Sequence, residues 1–534
     1  MVIGQGGTPE QALRAAKAAR PKEVPEINYV PTTSPLEFPP IFTRVREALL
    51  ALEIAYNTPI YLVGGAVRDA LLKRPTKDLD FVSPGQALTL ARRIADALGG
   101  AYFTLDEERQ TGRVLVSDEQ GQRFILDFAT QRGTDIESDL RARDYTVNAM
   151  AVELREPQKL LDPMGGTADL KDKRLRVCTS QACTADPIRV LRGIRLAAIF
   201  NFHAVPETRQ LWRQAAAHLQ HVSPERLRDE ILLLLEGPKP GTAVRALEML
   251  GALPYLLPEL TSLRGIPQSP PHQDDVWEHT LHVVDQLEAL LKALSPEYEP
   301  ETATELALGL AVLRLGRYRS HLKDHFNTPL TSDRSPRAVL FFATLYHDIA
   351  KPQTIIQPPD GHIRFPEHEV VGSTMAARRA RELHFSNAEV QRVADIVRYH
   401  PLPRSYTKDR EQPTPRTIYR FFKAAGPAGV DTCLLSLADN LATYGHVIPP
   451  EIWSNHLDVV RALFEAWWEY PTERLSPPPL LSGEDLKDTF NLTPGPIFGQ
   501  ILDSLQEAQA VGEIKTRTEA QKWVRSWLEK HKNS

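Results

Sequence analysis

Apolar residues recur along this chain in two different rhythms. Up to about residue 165 the rhythm is mixed. Residues 41–56 have helical spacing and lead into an apolar strand at 59–63. A short helix is predicted at 70–74, a strand at 79–82 and a helix at 85–98, opened by Pro84-Gly85. Segments 101–105, 112–117 and 122–129 alternate as strands do, with Gln120-Gly121 as a hairpin turn. Helical periodicity then takes over, at 186–200, 206–219, 224–236 and 241–250. Pro-rich chain at 267–271 marks a boundary. A second helical region runs from about 274 to 460, interrupted by a polar insertion around 316–336. Pro477-Pro478-Pro479 marks a further boundary before a small helical tail. The pattern predicts an α+β, multidomain chain: a small head with a mixed or antiparallel sheet, followed by all-α domains. The expected divisions are an N-terminal arm at 1–40, a head at 41–165, a helical neck at 166–266, a second helical domain at 267–460 and a helical tail at 461–534.

Composition narrows the class without naming a chemistry. A chain of 534 residues exceeds what one core organises. No apolar run is long enough to span a bilayer, and the polar, Gly-rich start lacks an apolar signal core. A cytoplasmic protein without a membrane partner is expected. The three cysteines, Cys178, Cys183 and Cys433, form neither a disulfide framework nor a zinc pattern. The net charge of −5 does not advertise a nucleic-acid binder. A local basic strip does occur between Lys171 and Arg195, where Arg189, Arg192 and Arg195 fall at helical spacing.

Candidate chemistry begins at Gly64-Gly65-Ala-Val-Arg68-Asp69, followed by Asp78-Leu-Asp80. Strand residues alternate sides, so Asp78 and Asp80 point to one face. Two carboxylates there repel unless a cation lies between them, an arrangement suited to Mg²⁺ at a phosphoryl-transfer centre. Gly64 and Gly65 allow backbone amides to approach a triphosphate, and Arg68 adds charge toward the same phosphates. The pattern resembles the nucleotidyltransferase superfamily with a polymerase-β-like head. Asp127 lies inside the apolar strand Phe124–Phe128 and is the candidate third carboxylate. Buried alone it would be costly, so it needs a metal or a cationic partner. Arg143, Asp144 and Asn148 supply a phosphate donor, a ribose acceptor and an amide. In Asp186-Pro-Ile-Arg189, Pro187 suits a helix's first turn, and Asp186 and Arg189 are neighbours there.

These motifs, with Asp162-Pro-Met-Gly-Gly166, follow the order seen in bacterial tRNA nucleotidyltransferases, the class II CCA-adding enzymes and their poly(A) polymerase relatives. The resemblance covers about residues 41–265. It implies that Asp78 and Asp80 bind Mg²⁺ with help from Asp127. It implies that Gly65, Arg68, Arg143, Arg192 and Arg195 hold the nucleotide phosphates. It further implies that Asp186 and Arg189 read the Watson–Crick edge of CTP or ATP, and that tRNA is the acceptor. Two departures stand out: Ala185 where the family usually has Glu, and Ala142 where it usually has a second Arg. Ser223-Pro-Glu-Arg226 matches a later neck motif, with Ser223 as an expected N-cap.

Further on, His279, His347-Asp348 and Asp439 occur in the order His…His-Asp…Asp. This resembles the HD phosphohydrolase superfamily, in which these four hold a divalent metal. His368 and His400 fall where two-metal members carry additional ligands. Imidazole with carboxylate suits Mn²⁺, Fe, Ni²⁺, Zn²⁺ or Co²⁺ more than Ca²⁺. The tail segment Leu481–Leu486 and Leu492–Gly499 resembles the C-terminal segment of some tRNA nucleotidyltransferases, and its Pro-Gly-Pro turn could present amides to RNA phosphates. Rival readings are a poly(A) polymerase, a partial enzyme adding only CC or only A, an HD-linked uridylyltransferase of a regulatory protein, and an HD phosphohydrolase with a dead head. The loop at 103–113, which separates full from partial adders, has no decisive spelling.

Overall fold

A computed structural model describes residues 36–52, 58–298, 305–331, 334–407, 412–493 and 495–531. Most of the expected arm, the end of the first expected helix and Pro494 of the Pro-Gly-Pro turn lie outside these residues. The chain divides into two compact units, one ending at His221 and the other beginning at Val222. That division falls within the stretch 166–266 read as a single neck.

The first unit is built on a mixed seven-stranded sheet in the order β3-β4-β5-β2-β1-β6-β7. Its strands are β1 (Tyr61–Val63), β2 (Asp78–Ser83), β3 (Ala101–Asp106), β4 (Thr111–Ser117), β5 (Arg123–Thr130), β6 (Ala151–Glu153) and β7 (Leu160–Leu161). β2 runs parallel to β5, while β1 pairs antiparallel with both β2 and β6. The acidic strand is thus central, with β5 on one side and β1 on the other. Helix α1 (Pro40–Leu50) packs on α3 (Ala87–Leu98), which covers β4 and β5. Leu90, Ala91 and Ile94 of α3 are fully buried at the helical spacing that the sequence shows. Helix α2 (Gly65–Leu71) starts directly at the second glycine, ahead of the expected 70–74. Gly64, at φ 76°, turns the chain, and the residues after it are good enough helix formers to continue at once. The expected 103–113 loop is closed into the β3–β4 hairpin, with Glu107–Gln110 as its turn.

Behind the sheet, Asp162 accepts hydrogen bonds from the amides of Gly166 (2.7 Å) and Thr167 (2.9 Å). A Cβ on Gly166 would lie 2.2 Å from the carbonyl oxygen of Thr146, which is backbone and cannot swing away. Gly166→Ala is therefore expected to destabilise this unit by about 1–3 kcal/mol, the usual cost of overpacking. A fall in its melting temperature checks this. Helices α4 (Ile136–Arg141), α5 (Ile188–Phe200) and α6 (Pro206–Ala216) complete the elements used below.

The second unit is helical. Leu227, Ile231, Leu234 and Leu235 bury one face of the helix Pro224–Glu236. Ser223 stands at its N-cap position, but its hydroxyl makes no capping bond, contrary to expectation. The polar insertion is not loop throughout. Arg319–Asn327 is a helix with Leu322 as its buried residue, because so short an amphipathic element needs only one apolar anchor. The division expected at 460 falls inside the helix Pro450–Trp468. Beyond the proline run, helices Gly483–Phe490, Pro496–Ala510 and Arg517–His531 share a small core around Leu486, Ile501, Leu505 and Val524. All three cysteines are buried free thiols. No described helix is long and apolar enough to cross a membrane.

Candidate active site and candidate metal centre

Parallel pairing sets Asp80 directly beside Asp127, and antiparallel pairing sets Val63, the residue before the glycine turn, opposite Asp80 on the other side. A Cβ on Gly64 would meet Asp80 Oδ2 at 3.6 Å and Arg143 Nη1 at 3.1 Å, so the glycine backbone lies against both groups. Asp80 is half-buried, and its carboxyl is pushed up to about 6. Lost hydration is the main cause; Asp127 and Asp78 add like charge, and Arg143 opposes them. Asp78, at the exposed end of β2, is raised as well, by lost hydration and then by Asp127. Both carboxylates are short of hydration and crowded by like charge, a condition that a divalent cation relieves, and hard carboxylate oxygens suit Mg²⁺. Asp127 has the cationic partner that its burial requires. Arg113, directly opposite on β4, grips both its oxygens at 2.8 Å.

The remaining head motifs join in one hydrogen-bonded chain. Arg68 forks onto Asp69 (Nε to Oδ1 2.9 Å, Nη2 to Oδ2 3.1 Å) and donates from Nη1 to Asn148 Oδ1 at 2.6 Å. Asn148 Nδ2 donates to Asp144 Oδ1 at 3.2 Å, and Arg192 Nη1 reaches Asp144 Oδ2 at 3.4 Å. Burial works against the Asp144 carboxylate, yet Arg192, the Tyr145 amide and Asn148 hold it below the usual range. Three donors within the protein thus hold Asp144. Arg143 is anchored at Asp139 (Nε to Oδ2 3.0 Å). The Arg68 guanidinium also lies 4.4 Å from the ring centre of Phe200, at the end of α5, and Arg195 repels its charge from the same helix. Sequence reasoning left Asp69, Arg113 and Phe200 without a role.

Asp186 precedes α5 in extended backbone (φ −145°, ψ 94°), so the helix starts later than the expected 186. Arg189 turns its guanidinium to the carbonyls of Arg143 (Nη1, 3.1 Å) and Ala142 (Nη2, 3.0 Å). Asp186, Arg189, Arg192 and Arg195 are all half-buried, and Arg189 and Arg192 lie against the 142–144 segment.

In the second unit the structure brings together all six expected ligands. Helices α7 (Val276–Ala293), α8 (Pro336–Tyr346), α9 (His368–Glu382), α10 (Asn387–Tyr399) and α11 (Ala428–Tyr444) contribute them from within or at their ends. His279 Nε2 lies 3.0 Å from Asp439 Oδ1 and 3.8 Å from Asp348 Oδ2. His347 Nε2 lies 3.1 Å from Asp348 Oδ2, His368 Nε2 3.4 Å and His400 Nε2 4.0 Å from Asp348 Oδ1. Two candidate ligand groups result, His279–His347–Asp348 and Asp348–His368–His400, joined at Asp348. Nδ1 of His347, His368 and His400 each faces a backbone carbonyl three residues earlier, at 2.7–2.8 Å. That contact fixes the tautomer and leaves Nε2 as the free ligand atom. Buried His347 Nε2 and Asp348 Oδ2 lack a hydrogen bond, although Asp348 Oδ2 lies 2.6 Å from Lys351 Nζ. The clustered imidazole and carboxylate ligand atoms fit a divalent transition cation. Burial and the neighbouring imidazoles push His400 down to about 3, keeping it neutral as a ligand must be. Lys351 and His272, whose ring packs edge-on to His279 at 4.9 Å, escaped sequence reasoning.

A sheet-borne acidic pair beside a glycine turn and an arginine-bearing helix places the head among nucleotidyltransferases. The chain matches the Poly A polymerase head domain over residues 60–176, the probable RNA and SrmB- binding site of polymerase A over 201–263, and the HD domain over 276–444. It is 34% identical to an A-adding tRNA nucleotidyltransferase of Deinococcus radiodurans, across 88% of this chain and 95% of the relative. It is 32% identical to a CC-adding tRNA nucleotidyltransferase of Thermus thermophilus, across 89% and 96%. In fold it resembles a CCA-adding enzyme in its apo form (TM-score 0.58, 19% identity, 92% and 95% covered). It also resembles the Thermotoga maritima CCA-adding enzyme complexed with tRNA (TM-score 0.52, 20% identity, 92% and 97% covered). The chain belongs to the tRNA nucleotidyltransferase family and is a nucleotidyltransferase.

Proposed function

We propose that this chain is a cytoplasmic, template-independent enzyme that adds C or A to the 3′ end of tRNA from CTP or ATP, releasing pyrophosphate. The observation that carries the reading is the continuous chain Asp69–Arg68–Asn148–Asp144–Arg192, which ties three separate motifs together. When bound at Asp78 and Asp80, Mg²⁺ supplies charge stabilisation at the attacking and leaving oxygens. Gly64 and Gly65 present backbone to the triphosphate, and Arg68, Arg143, Arg192 and Arg195 offset its charge. Asn148 fixes Arg68, Asp144 fixes Arg192 and Asp139 fixes Arg143. Asp127, held by Arg113, assists the acidic pair. Asp186 and Arg189 read the base edge. The helical regions after the head, expected at 166–266 and 461–534, grip the tRNA by shape and phosphate contacts.

Four relatives aligned over most of this chain are named for partial addition, one A-adding and three CC-adding. They favour a partial adder over a full CCA enzyme. The test offers purified protein tRNA ending before A, CA or CCA, with labelled CTP and ATP alone and together. Incorporation of C only, A only or both assigns the type, and long A tails would make it a poly(A) polymerase. No incorporation on any substrate overturns the reading. Arg189→Ala is expected to cost about 1–3 kcal/mol of CTP-against-ATP discrimination, the worth of a two-point base contact. The ratio of kcat/KM values for the two nucleotides measures it, with triphosphate KM changed less.

The converged HD ligands support a second, metal-dependent phosphohydrolase activity. His279, His347, Asp348 and Asp439 would hold a divalent transition metal, with His368 and His400 available for another. Hydrolysis of an aryl phosphoester with added Mn²⁺, Ni²⁺ or Co²⁺, abolished by chelator, tests it.

A further inference from the structure

The backbone carbonyl of Arg189 is in the first turn of α5, where an α-helical carbonyl ordinarily accepts only from the amide four residues on. Here it takes a second, side-chain donor. Tyr145 Oη donates to it at 2.6 Å, and Trp212 Nε1, from α6, donates to Tyr145 Oη at 2.9 Å. Both rings are buried and meet edge-to-face at 6.3 Å. The approach depends on Gly193. A Cβ there would lie 2.0 Å from Tyr145 Oη and 2.4 Å from Trp212 Cζ2. The residues just before Tyr145 hold the other end of Arg189, because the carbonyls of Ala142 and Arg143 accept from its guanidinium. The segment 142–145 therefore grips one arginine twice, at its backbone through Tyr145 and at its tip through Ala142 and Arg143. Position 185 offers no carboxylate that could orient it instead.

We infer that Tyr145, set by Trp212 and admitted by Gly193, is a positioning residue for base selection, fixing the aim of Arg189 on the incoming nucleotide. This rests on the reading of Arg189 as a base-reading residue. Tyr145 is fully buried and acts through Arg189. Its hydroxyl fixes where α5 begins relative to the 142–145 segment, and so where the guanidinium lies. Tyr145→Phe keeps the ring and its packing but removes the hydroxyl, leaving a buried indole N–H without its acceptor.

The test measures kcat/KM for CTP and for ATP on a tRNA substrate in wild type, Tyr145→Phe, Arg189→Ala and the double variant. Tyr145→Phe is expected to reduce nucleotide preference by about tenfold, the scale of one lost buried hydrogen bond. The KM for the preferred triphosphate should change far less. In the double variant the preference should equal that of Arg189→Ala alone, since both act through one side chain. Preference kept in Tyr145→Phe but lost in Arg189→Ala overturns the positioning role and leaves the base-reading assignment standing. Preference kept in both overturns the base-reading assignment itself. Should Tyr145→Phe fail to fold, Trp212→Phe, which removes the second donor of the relay together with part of its ring, is read in its place by the same criterion.

Discussion

Asp80→Asn is expected to abolish nucleotide addition, by about three orders of magnitude or more, without loss of stability. The two halves of this result have one cause. Asp80 sits between β1 and β5 with Asp127 in register beside it, and its carboxyl is raised to about 6. A carboxyl that binds its proton more tightly in the folded chain than in the unfolded one makes its ionised form a cost to folding at neutral pH. That cost is full above the folded value and fades as pH falls from there to the ordinary carboxylate range, below which it is gone. A neutral amide of the same shape removes the cost, so the melting temperature of metal-free Asp80→Asn should equal or exceed that of wild type at pH 7.5. Added Mg²⁺ should stabilise the wild type and not the variant, because half of the acidic pair is gone. Activity lost together with stability would instead make Asp80 a structural residue. Activity retained would remove it from the catalytic centre.

How much of this site could be read from sequence depended on the range of the interactions. The acidic pair, the glycine turn and the three head strands that follow are local patterns, and they reappear within a residue or so. The start of α2 was missed because two glycines read as loop, whereas Gly64 alone makes the turn and Gly65 already belongs to the helix. The Arg113–Asp127 pair needed the register. Counting outward equally from a two-residue Gln120-Gly121 turn sets Arg113 opposite Phe128; the observed pairing, centred on Gln120, sets it opposite Asp127. A shift of one residue moves every partner to the other face. The Tyr145–Trp212 relay could not be found this way. It joins residues 67 positions apart through the packing of two helices, and nothing in the spacing of either residue marks it. The histidine cluster is an intermediate case. Its members span residues 279 to 439, and only the resemblance to the HD superfamily gathered them before the fold did.

Asp348→Asn should have the largest effect in the second unit, since this carboxylate faces both ligand groups at once. Its Oδ2 faces His279 and His347, and its Oδ1 faces His368 and His400. It is also the partner of Lys351, which is only 7% exposed. His347 is drawn above its ordinary range by Asp348 despite burial, and Asp348 is held well below its own by His347 and Lys351. Replacing the carboxylate leaves a buried ammonium facing a neutral amide, which costs about 3–5 kcal/mol when one partner of a buried pair is removed. The metal-free variant should therefore melt well below wild type. In wild type, Mn²⁺ should raise the melting temperature and support phosphoester hydrolysis. In Asp348→Asn both responses should vanish, while nucleotide addition by the head persists at temperatures where the variant stays folded. A metal-dependent stabilisation that survives the substitution would show that the cation is held elsewhere. An equal loss of nucleotide addition would show that the variant had unfolded. The outcome predicted here, one activity lost and the other kept, requires that Asp348 hold the metal and that the two chemistries occupy separate sites.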